Sequence, residues 1–411
     1  MAKVSPYKAL YYDNSTFSDL TPLVIPPYDN IPAGEEQKYL KRSPYNFAHV
    51  LLPHSVDEDY SQAKELLQTW RDQHILKETS VPCYYLYQQT FEAYEKKHVR
   101  HTLMCAVELQ PFSEAIVRPH ENTFGQYKAD RLQILRKTQC NLSHVFGMVN
   151  DEEGFLEGLF DKWMFEAPFL KAKTDDGTEH VVWKAEGAKH PQIAEFFSSR
   201  PIYIVDGHHR YESALMYAKE SGAYGDPTKP ASQMLFAIAN TFDPGLIVFP
   251  THRAIKKGAC PSLNLGEIEK YYQLLPLAPE ALLRFVEKPQ PTPQFALSYR
   301  DQLYLVIPKN WQNEAEKIGK SVAKLSVVWS DHKFSKDFCG IDDNNRSQKV
   351  SYDKDAKALW EKRSNYDLII FHAPPAVADV TAVADEKRFM PQKSTYFFPK
   401  LAAGFTMRRL S

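Results

Sequence analysis

The sequence has few glycines, no cysteine motif and no long apolar run. Its 411 residues contain 16 glycines against 28 prolines, which favours rigid connections over flexible linkers. The 5 cysteines are scattered and none is spaced like a metal-ligand pair, which disfavours a disulfide framework or a structural zinc site. Nothing approaches the ~20 apolar residues of a membrane span, and the N-terminus lacks the apolar run of a signal peptide. We therefore expect a cytoplasmic protein with reduced thiols.

An excess of charge of one sign is also missing. The chain has 50 Lys and Arg residues against 51 Asp and Glu residues, so its net charge is −1. Such a balance provides no general attraction to a polyanion or to an anionic membrane, so nucleic acid and membranes are disfavoured as partners. The composition, 43% hydrophobic and 25% charged, is that of an ordinary globular protein, and the length predicts about two or three domains.

Predicted strands and helices are mixed along the chain, with hairpins among the strands. Aromatic and β-branched runs predict two antiparallel strands, at 83–90 and 99–109. Apolar spacing predicts helices at 128–138, 211–220 and 377–386. This mixture favours an α+β fold with mixed sheets over a regular doubly wound fold.

A proline-rich stretch at 289–293 is the best candidate for a linker between domains. It divides the chain into an N-terminal α+β domain, 1–288, and a C-terminal α+β domain, 294–411. The same prolines are equally compatible with a rigid surface loop.

The most informative segment is Val205–Glu212, where a predicted buried strand ends and a helix begins. Gly207 lets the backbone approach a ligand without a Cβ, and Arg210 can hold phosphate oxygens with its planar fork. The following helix, expected to start near Tyr211, directs N–H groups toward such a ligand. The segment therefore predicts a phosphate site.

Three further side chains of this segment are suited to chemistry. His208 and His209 can donate hydrogen bonds to phosphate or transfer protons near neutral pH. Asp206 can hold a divalent cation or orient a hydroxyl. The alternative is that Asp206 caps the helix, while both histidines are ordinary core or surface residues.

A second cluster follows a predicted strand and consists of the run Arg118-Pro119-His120-Glu121-Asn122-Thr123, together with Lys128, Asp130 and Arg131. A carboxylate tuned by its neighbours can accept a hydroxyl proton, so Glu121 is a candidate general base. The alternative is a helix N-cap surrounded by ordinary surface salt bridges.

Two later segments are weaker candidates. Thr251-His252-Arg253 follows a predicted strand and is better explained as a solvated strand end. Lys393, within Met390–Lys400, can reach a phosphate, although this run lacks the glycines of a P-loop. A closing strand with an exposed lysine is the alternative.

Together these segments resemble the prokaryotic domain-of-unknown-function family number 1015, over essentially the whole chain. The run Asp206–Arg210 is also similar to the Asp-Gly-His-His-Arg motif of ADP-dependent free-serine kinases, which have a ParB/sulfiredoxin-like core. The segments that carry the family resemblance are, in chain order, Pro26-Pro27-Tyr28-Asp29, His120-Glu121-Asn122-Thr123 with Lys128 and Asp130-Arg131-Leu132, Val205–Glu212, Pro250–Arg253 and Met390–Lys400.

The kinase resemblance implies a set of roles. In those kinases a glutamate upstream of the motif is the proposed base, and the motif contacts the nucleotide phosphates and the metal. The implied fold is a ParB/sulfiredoxin-like core followed by a C-terminal α/β part, which has no counterpart in those kinases. The implied catalytic residues are Glu121, Asp206, His208 and His209, with Asp206 holding Mg²⁺; the implied nucleotide and phosphate ligands are Gly207, Arg210, His120, Arg118 and Lys393.

The sequence therefore predicts a small-molecule phosphotransferase. It would use ADP or ATP with Mg²⁺ to phosphorylate a hydroxyl metabolite, with free serine as a candidate acceptor. One alternative is a non-catalytic nucleotide-binding regulatory protein with a ParB-like core. Another is a metal-dependent phosphohydrolase that uses the same His and Asp residues.

Overall fold

The structure is a computed structural model that describes residues 2–32, 34–52, 60–121 and 125–410, with only the backbone of 125–127. Asn122 and Thr123 of the second cluster lie outside the described residues. The chain divides into two compact units. Unit 1 comprises Met1–Pro119, Thr123–Leu246 and Pro399–Ser411, and unit 2 comprises His120–Asn122 and Ile247–Phe398.

The β-strands are distributed over both units. In chain order they are β1 Val4–Ser5, β2 Leu10–Tyr12, β3 Leu76–Glu78, β4 Cys83–Ala93, β5 Lys96–Glu108, β6 Val117–Arg118, β7 Cys140–Asn141, β8 Val145–Val149, β9 Leu170–Lys173, β10 Glu179–Glu186, β11 Ile202–Asp206, β12 Gln233–Asn240, β13 Ile247–Phe249, β14 His252–Lys256, β15 Tyr272–Pro276, β16 Phe295–Tyr299, β17 Gln302–Pro308, β18 Val350–Asp353, β19 Tyr366–His372, β20 Tyr396–Phe398 and β21 Arg408–Arg409.

The α-helices occur in both units as well. They are α1 Glu36–Leu40, α2 Ala48–Leu51, α3 Ser61–Asp72, α4 Gly125–Thr138, α5 Phe155–Trp163, α6 Gln192–Phe197, α7 His208–Glu220, α8 Leu265–Tyr271, α9 Pro279–Glu287, α10 Trp311–Ile318, α11 Lys320–Ala323, α12 Ser335–Cys339, α13 Arg346–Lys349, α14 Ala356–Glu361 and α15 Val377–Asp385.

Unit 1 is built on a large mixed sheet. Its strands lie in the order β6-β11-β8-β12-β5-β4-β10-β9, and β1 pairs with β5. The β6–β11 and β8–β12 pairs are parallel, whereas β4 and β5 form the predicted antiparallel hairpin. This confirms an α+β fold with mixed sheets.

The junction between β11 and α7 differs from the sequence prediction in one respect. The helix begins at His208, three residues earlier than the predicted start near Tyr211. Gly207 is the reason, because its φ of 92° lies in the left-handed region and reverses the chain within a single residue. Strand and helix are therefore joined directly, with Asp206 as the last residue of β11.

Unit 2 contains a six-stranded sheet in the order β15-β17-β16-β19-β14-β18. Each of its neighbouring pairs is antiparallel. This agrees with the α+β character predicted for the C-terminal domain, whereas the α/β part implied by the resemblance is wrong, because an α/β part requires parallel strands joined by helical crossovers.

The boundary between the units also differs from the predicted one. The prolines of 289–293 connect α9 to β16 within unit 2, so they form a loop of that unit. The strand β14, which the sequence placed in the N-terminal domain, pairs with β18 and β19 about a hundred residues later. Local composition does not reveal such a long-range pairing.

The same strand decides the environment of Thr251-His252-Arg253. His252 is 0% exposed and Arg253 is 1% exposed, so these residues do not form a solvated strand end. Arg253 donates through Nε and Nη2 to the Asp331 carboxylate, with Nη2 3.0 Å from Oδ2. The pair forms a structural ion pair in the interior of unit 2.

Each unit has a hydrophobic core of its own. In unit 1, buried side chains of β5, β11 and β12 pack with those of α5, α6 and α7, and in unit 2 those of β14, β16 and β19 pack with α9 and α14. None of the helices in the described part of the chain combines the length and the hydrophobicity of a membrane span.

Candidate functional site

The site in unit 1 is centred on Asp206 at the end of β11. Its Oδ2 accepts a hydrogen bond from Arg210 Nη2 at 2.6 Å, and its Oδ1 accepts one from Lys400 Nζ at 2.5 Å. The three side chains are between 8% and 17% exposed. One carboxylate thus positions two cations, and the cluster carries a net positive charge.

Arg210 is held by the backbone as well as by Asp206. Its Nη1 donates to the carbonyl oxygen of His144 and lies 3.4 Å from Ser143 Oγ. A Cβ at Gly207 would lie 2.9 Å from the guanidinium atoms of Arg210, so this position requires glycine for its space as well as for its φ. Gly207 therefore allows both the start of α7 and the position of the Arg210 side chain.

The electrostatics of the site keep Asp206 ionised. Burial by itself would raise the pKa of Asp206, but the charges of Lys400 and Arg210, with a smaller effect of His208, hold it well below the ordinary value. Burial also lowers the pKa of His209, against the opposing charges of Glu212 and Asp29. His209 is therefore neutral at pH 7 and can donate or accept one proton.

Two residues of this site were missed by the sequence analysis, Lys400 and Asp29. Asp29 follows Pro26-Pro27-Tyr28, and its carboxylate interacts electrostatically with Asp206, Arg210 and Lys400. Both residues belong to segments that carried the family resemblance. The sequence therefore pointed to the segments that contain these residues but not to the residues themselves. Nothing in the local sequence favours Lys400 over Lys393.

The helix α4 contributes a further part of the second cluster. Lys128 Nζ lies 3.4 Å from Glu212 Oε1 on α7, and the Lys128 carbonyl oxygen accepts from Ser213 Oγ at 2.9 Å.

Arg118 lies on β6, next to β11, where it is paired in register with Tyr203. Its Nε donates to the Ala115 carbonyl oxygen at 2.9 Å.

The remaining predicted site residues belong to unit 2. His120 is 1% exposed, with its Nε2 3.2 Å from Thr395 Oγ1 and 3.9 Å from Glu121 Oε1. The His120 carbonyl oxygen accepts from the Met390 backbone N–H at 2.8 Å. Lys393 is exposed in the turn before β20, as in the alternative of a closing strand. That Glu121 and Lys393 act with Asp206 stays a prediction.

The donor set does not fit Asp206 as a magnesium ligand. Each of its carboxylate oxygens accepts a hydrogen bond from a cationic side chain, Arg210 or Lys400. Although each oxygen has a further lone pair, a divalent cation bound there would lie directly beside these two positive charges. The described part of the chain also contains no group of three His, Cys, Asp or Glu residues arranged to hold a metal ion.

Solved structures similar to this chain include a free serine kinase in complex with AMP, which is 13% identical, has a TM-score of 0.34 and covers 71% of this chain and 88% of its own. SbnI with a C-terminal truncation, from Staphylococcus aureus, is 10% identical with a TM-score of 0.35 and covers 72% and 84%. A conserved hypothetical protein from Pyrococcus furiosus is 14% identical with a TM-score of 0.30 and covers 69% and 90%. At these scores the likenesses do not assign an activity to this chain.

In sequence, no curated protein matches the chain. A family model matches residues 4–328 of the chain, and its description is "Protein of unknown function (DUF1015)". The match covers most of the chain, from β1 through the Asp206 site and into unit 2. It confirms the family resemblance over these residues, which do not include the segment Met390–Lys400: this protein is a member of the DUF1015 family.

Proposed function

We propose that unit 1 binds ADP or ATP and transfers a phosphoryl group to the hydroxyl of a small metabolite, with free serine as a candidate acceptor. The observation that carries the proposal is the pair of cations, Arg210 and Lys400, that Asp206 positions at the start of α7. A ParB/sulfiredoxin-like core in unit 1, which would include β11 and α7, is part of the same proposal.

Phosphoryl transfer depends mainly on positioning the phosphates and on neutralising their charge. Arg210 offers a rigid fork of N–H donors, and Lys400 offers a compact point charge on the same carboxylate. The N-terminus of α7, which bears the positive end of the helix dipole, lies at the same junction. These groups support binding of two or more phosphates at this junction.

The ionised Asp206 has a supporting role in this proposal. It keeps both cations in place before the nucleotide arrives, so little reorganisation is needed on binding. His208 is 7% exposed and lies in the first turn of α7, next to the neutral His209. Either imidazole can donate a hydrogen bond to the nucleotide phosphates.

Magnesium enters the proposal only with the nucleotide. Mg²⁺ commonly binds through substrate phosphates and keeps several waters, so it does not require a cage of protein ligands. Because Asp206 does not fit as its ligand, the ion in this proposal is held by the nucleotide phosphates and by water.

Calorimetry with ADP and ATP, followed by transfer from labelled nucleotide to a panel of hydroxyl metabolites that includes serine, tests the proposal. The expected result is nucleotide binding together with a labelled phosphorylated acceptor. Binding without transfer to any acceptor would favour the regulatory protein, and release of inorganic phosphate alone would favour the phosphohydrolase. Absence of nucleotide binding would refute the phosphotransferase and the nucleotide-binding regulatory protein.

A further inference from the structure

A cleft within unit 2 is lined by residues that the proposed phosphoryl transfer does not use. The residues of its wall all belong to unit 2. Its open space amounts to about 400 Å³, which lies in the size range of pockets for small molecules. Gln294, Lys324 and Asp379 make part of the wall polar, and Pro374 and Pro375 make another part rigid and apolar. The cleft can therefore hold a small molecule with both polar and apolar parts.

One residue of the cleft wall, Ser326, is hydrogen-bonded to a buried histidine. Ser326 is partly exposed and lines the cleft, whereas His372, the last residue of β19, is 1% exposed. The distance between Ser326 Oγ and His372 Nδ1 is 2.9 Å. A serine hydroxyl within hydrogen-bond reach of an imidazole is the arrangement of an activated nucleophile and its base.

The second ring nitrogen of His372 decides which partner donates in this pair. His372 Nε2 lies 3.1 Å from Ser330 Oγ. Ser330 has one hydroxyl proton, which it donates to the Val327 carbonyl oxygen at 3.2 Å or to Asp331 Oδ1 at 3.3 Å. Its oxygen therefore accepts from His372, and the network assigns the proton of the neutral ring to Nε2. Nδ1 is then an acceptor, to which Ser326 donates its hydroxyl proton.

His372 is fixed through its ring and through its backbone. Ser326 and Ser330 are about one turn apart in a helical run that begins at Ser326, so both hydroxyls reach the same imidazole. This run includes the π-helical segment Val328–Phe334, and such segments are rare and frequent at functional sites. The His372 backbone N–H donates to Nδ1 of the fully buried His252 at 3.2 Å. The base is therefore held in place for Ser326.

The protonation state of His372 at neutral pH suits a base. Burial, with smaller effects of Arg253 and His252, lowers the pKa of His372 well below the ordinary value. The ring is therefore neutral at pH 7, and its Nδ1 can accept a proton. The same environment makes the imidazole a weak base, so we expect slow chemistry at Ser326.

The start of the helical run lies at the cleft as well. Leu325, Ser326 and Val327 line the cleft, so the N-terminal end of the run borders the same space as the Ser326 hydroxyl. This end bears the positive part of the helix dipole, which stabilises negative charge that develops on an oxygen. Attack of a hydroxyl on a carbonyl group produces such an oxygen, which points to a carbonyl substrate.

We infer that Ser326 is a nucleophile, that His372 is its base, and that the cleft takes a small ester. Ser326 Oγ forms a bond to the carbonyl carbon, its proton moves to His372 Nδ1, and the carbonyl oxygen takes the negative charge. The bond from that carbon to the alcohol oxygen then breaks, and the alcohol leaves with the proton from Nδ1. Water hydrolyses the acyl-serine by the same two steps and restores Ser326. This inference does not depend on the phosphoryl transfer proposed for unit 1.

Two small serine-reactive probes, diisopropyl fluorophosphate and p-nitrophenyl acetate, test the inference on the wild-type protein. Mass mapping of the digested protein locates each modified residue and gives its rate of modification. We expect both probes to modify Ser326 much faster than Ser351, a partly exposed serine on β18 outside the residues that line the cleft. This comparison within one chain does not depend on the folding of any variant.

Variants then test the role of the histidine. His372→Gln should lower the rate at Ser326 by roughly 10²-fold, the lower end of the usual contribution of a general base. Ser326→Ala should remove the modification, and Ser351→Ala is the matched control that should react like the wild type. Thermal unfolding gives the Tm of each variant, and the rates are compared at a temperature below all of them.

Three results would overturn the inference. The first is an equal rate of modification at Ser326 and Ser351 in the wild type, including no modification of either. The second is a wild-type rate at Ser326 in His372→Gln. The third is a fast modification that persists in Ser326→Ala, because the reactive residue would then be a different one.

Discussion

At the scale of single residues, the candidate site is a balance between one buried anion and two cations. Asp206 needs Arg210 and Lys400 to remain ionised, and both cations need Asp206 to remain in place. Removing either side of such a pair leaves an uncompensated charge in a partly desolvated position. Substitutions at these residues should therefore change both the nucleotide affinity and the free energy of unfolding.

Arg210→Ala should weaken nucleotide binding by about 1.5–3 kcal/mol, the range for hydrogen bonds to charged groups. Arg210→Lys should recover only part of this, because an ammonium group cannot reproduce a planar fork. Calorimetric titration with ADP checks both variants. Arg136→Ala is the control, since Arg136 is 42% exposed and pairs with Glu220 on the surface. Equal affinity in Arg210→Ala and the control would remove Arg210 from the site.

Asp206→Asn should reduce the free energy of unfolding at pH 7 by about 3 kcal/mol, because it leaves two cations without their anion. The pKa of Asp206 is lowered in the folded state, so its contribution is present above the unfolded-state pKa of about 4 and is lost as pH falls further. Urea denaturation at pH 7 and pH 3 measures the difference. A gap between variant and wild type that does not narrow at pH 3 would contradict this assignment.

At the scale of elements, the site depends on how β11 passes into α7. A strand that ends on a carboxylate and a helix that begins two residues later place Asp206 and Arg210 on the same side of the junction. The reversal requires a positive φ at Gly207, and Arg210 occupies the space that a side chain there would fill. The junction is thus both a structural turn and part of the site.

Gly207→Ala should cost about 1–2 kcal/mol of stability from the left-handed backbone alone, and it should also displace Arg210 and weaken nucleotide binding. Gly222, just after the end of α7, is a matched control. It has a φ of 66°, but the space that a Cβ would enter there is open. Gly222→Ala should lose a similar stability without losing affinity. Thermal unfolding and ADP titration of both variants would show whether the two effects separate.

At the scale of the whole molecule, acid sensitivity should come from buried histidines in both units. Burial lowers the pKa of four histidines. The pKa falls to about 3 in three of them and well below the ordinary value in the fourth. They are at most 6% exposed. These histidines are His144 and His180 in unit 1 and His252 and His372 in unit 2.

Because the folded-state pKa values are lowered, the unfolded chain binds protons first as the pH falls below about 6.5. We expect the Tm to decrease progressively from pH 7 toward pH 4, before most carboxylates are protonated. His180→Gln should reduce this slope, since His180 is one of the titrating groups, whereas His74→Gln should not, because His74 is exposed. A Tm that is constant between pH 7 and pH 5 would contradict the prediction.

Much of the secondary structure followed from local pattern. The alternation of aromatic and β-branched residues predicted β4 and β5, and apolar spacing predicted α4 and α15 within a few residues. The start of α7 was missed because the polar residues His208–Arg210 look like a loop, whereas the left-handed Gly207 already completes the turn. Propensity alone does not show where a single glycine reverses the chain.

The sequence by itself determined the segments that matter, since the motif Asp206–Arg210 and the stretches that contain Asp29 and Lys400 are all visible in it. Only the tertiary structure decided which of their side chains meet. Lys400 lies 194 positions from Asp206 and still contacts it, and β14 joins the sheet of unit 2 across the predicted domain boundary. The physical reason is that local pattern reports the faces of strands and helices, whereas ion pairs and sheet order depend on long-range pairing that no short window of sequence encodes.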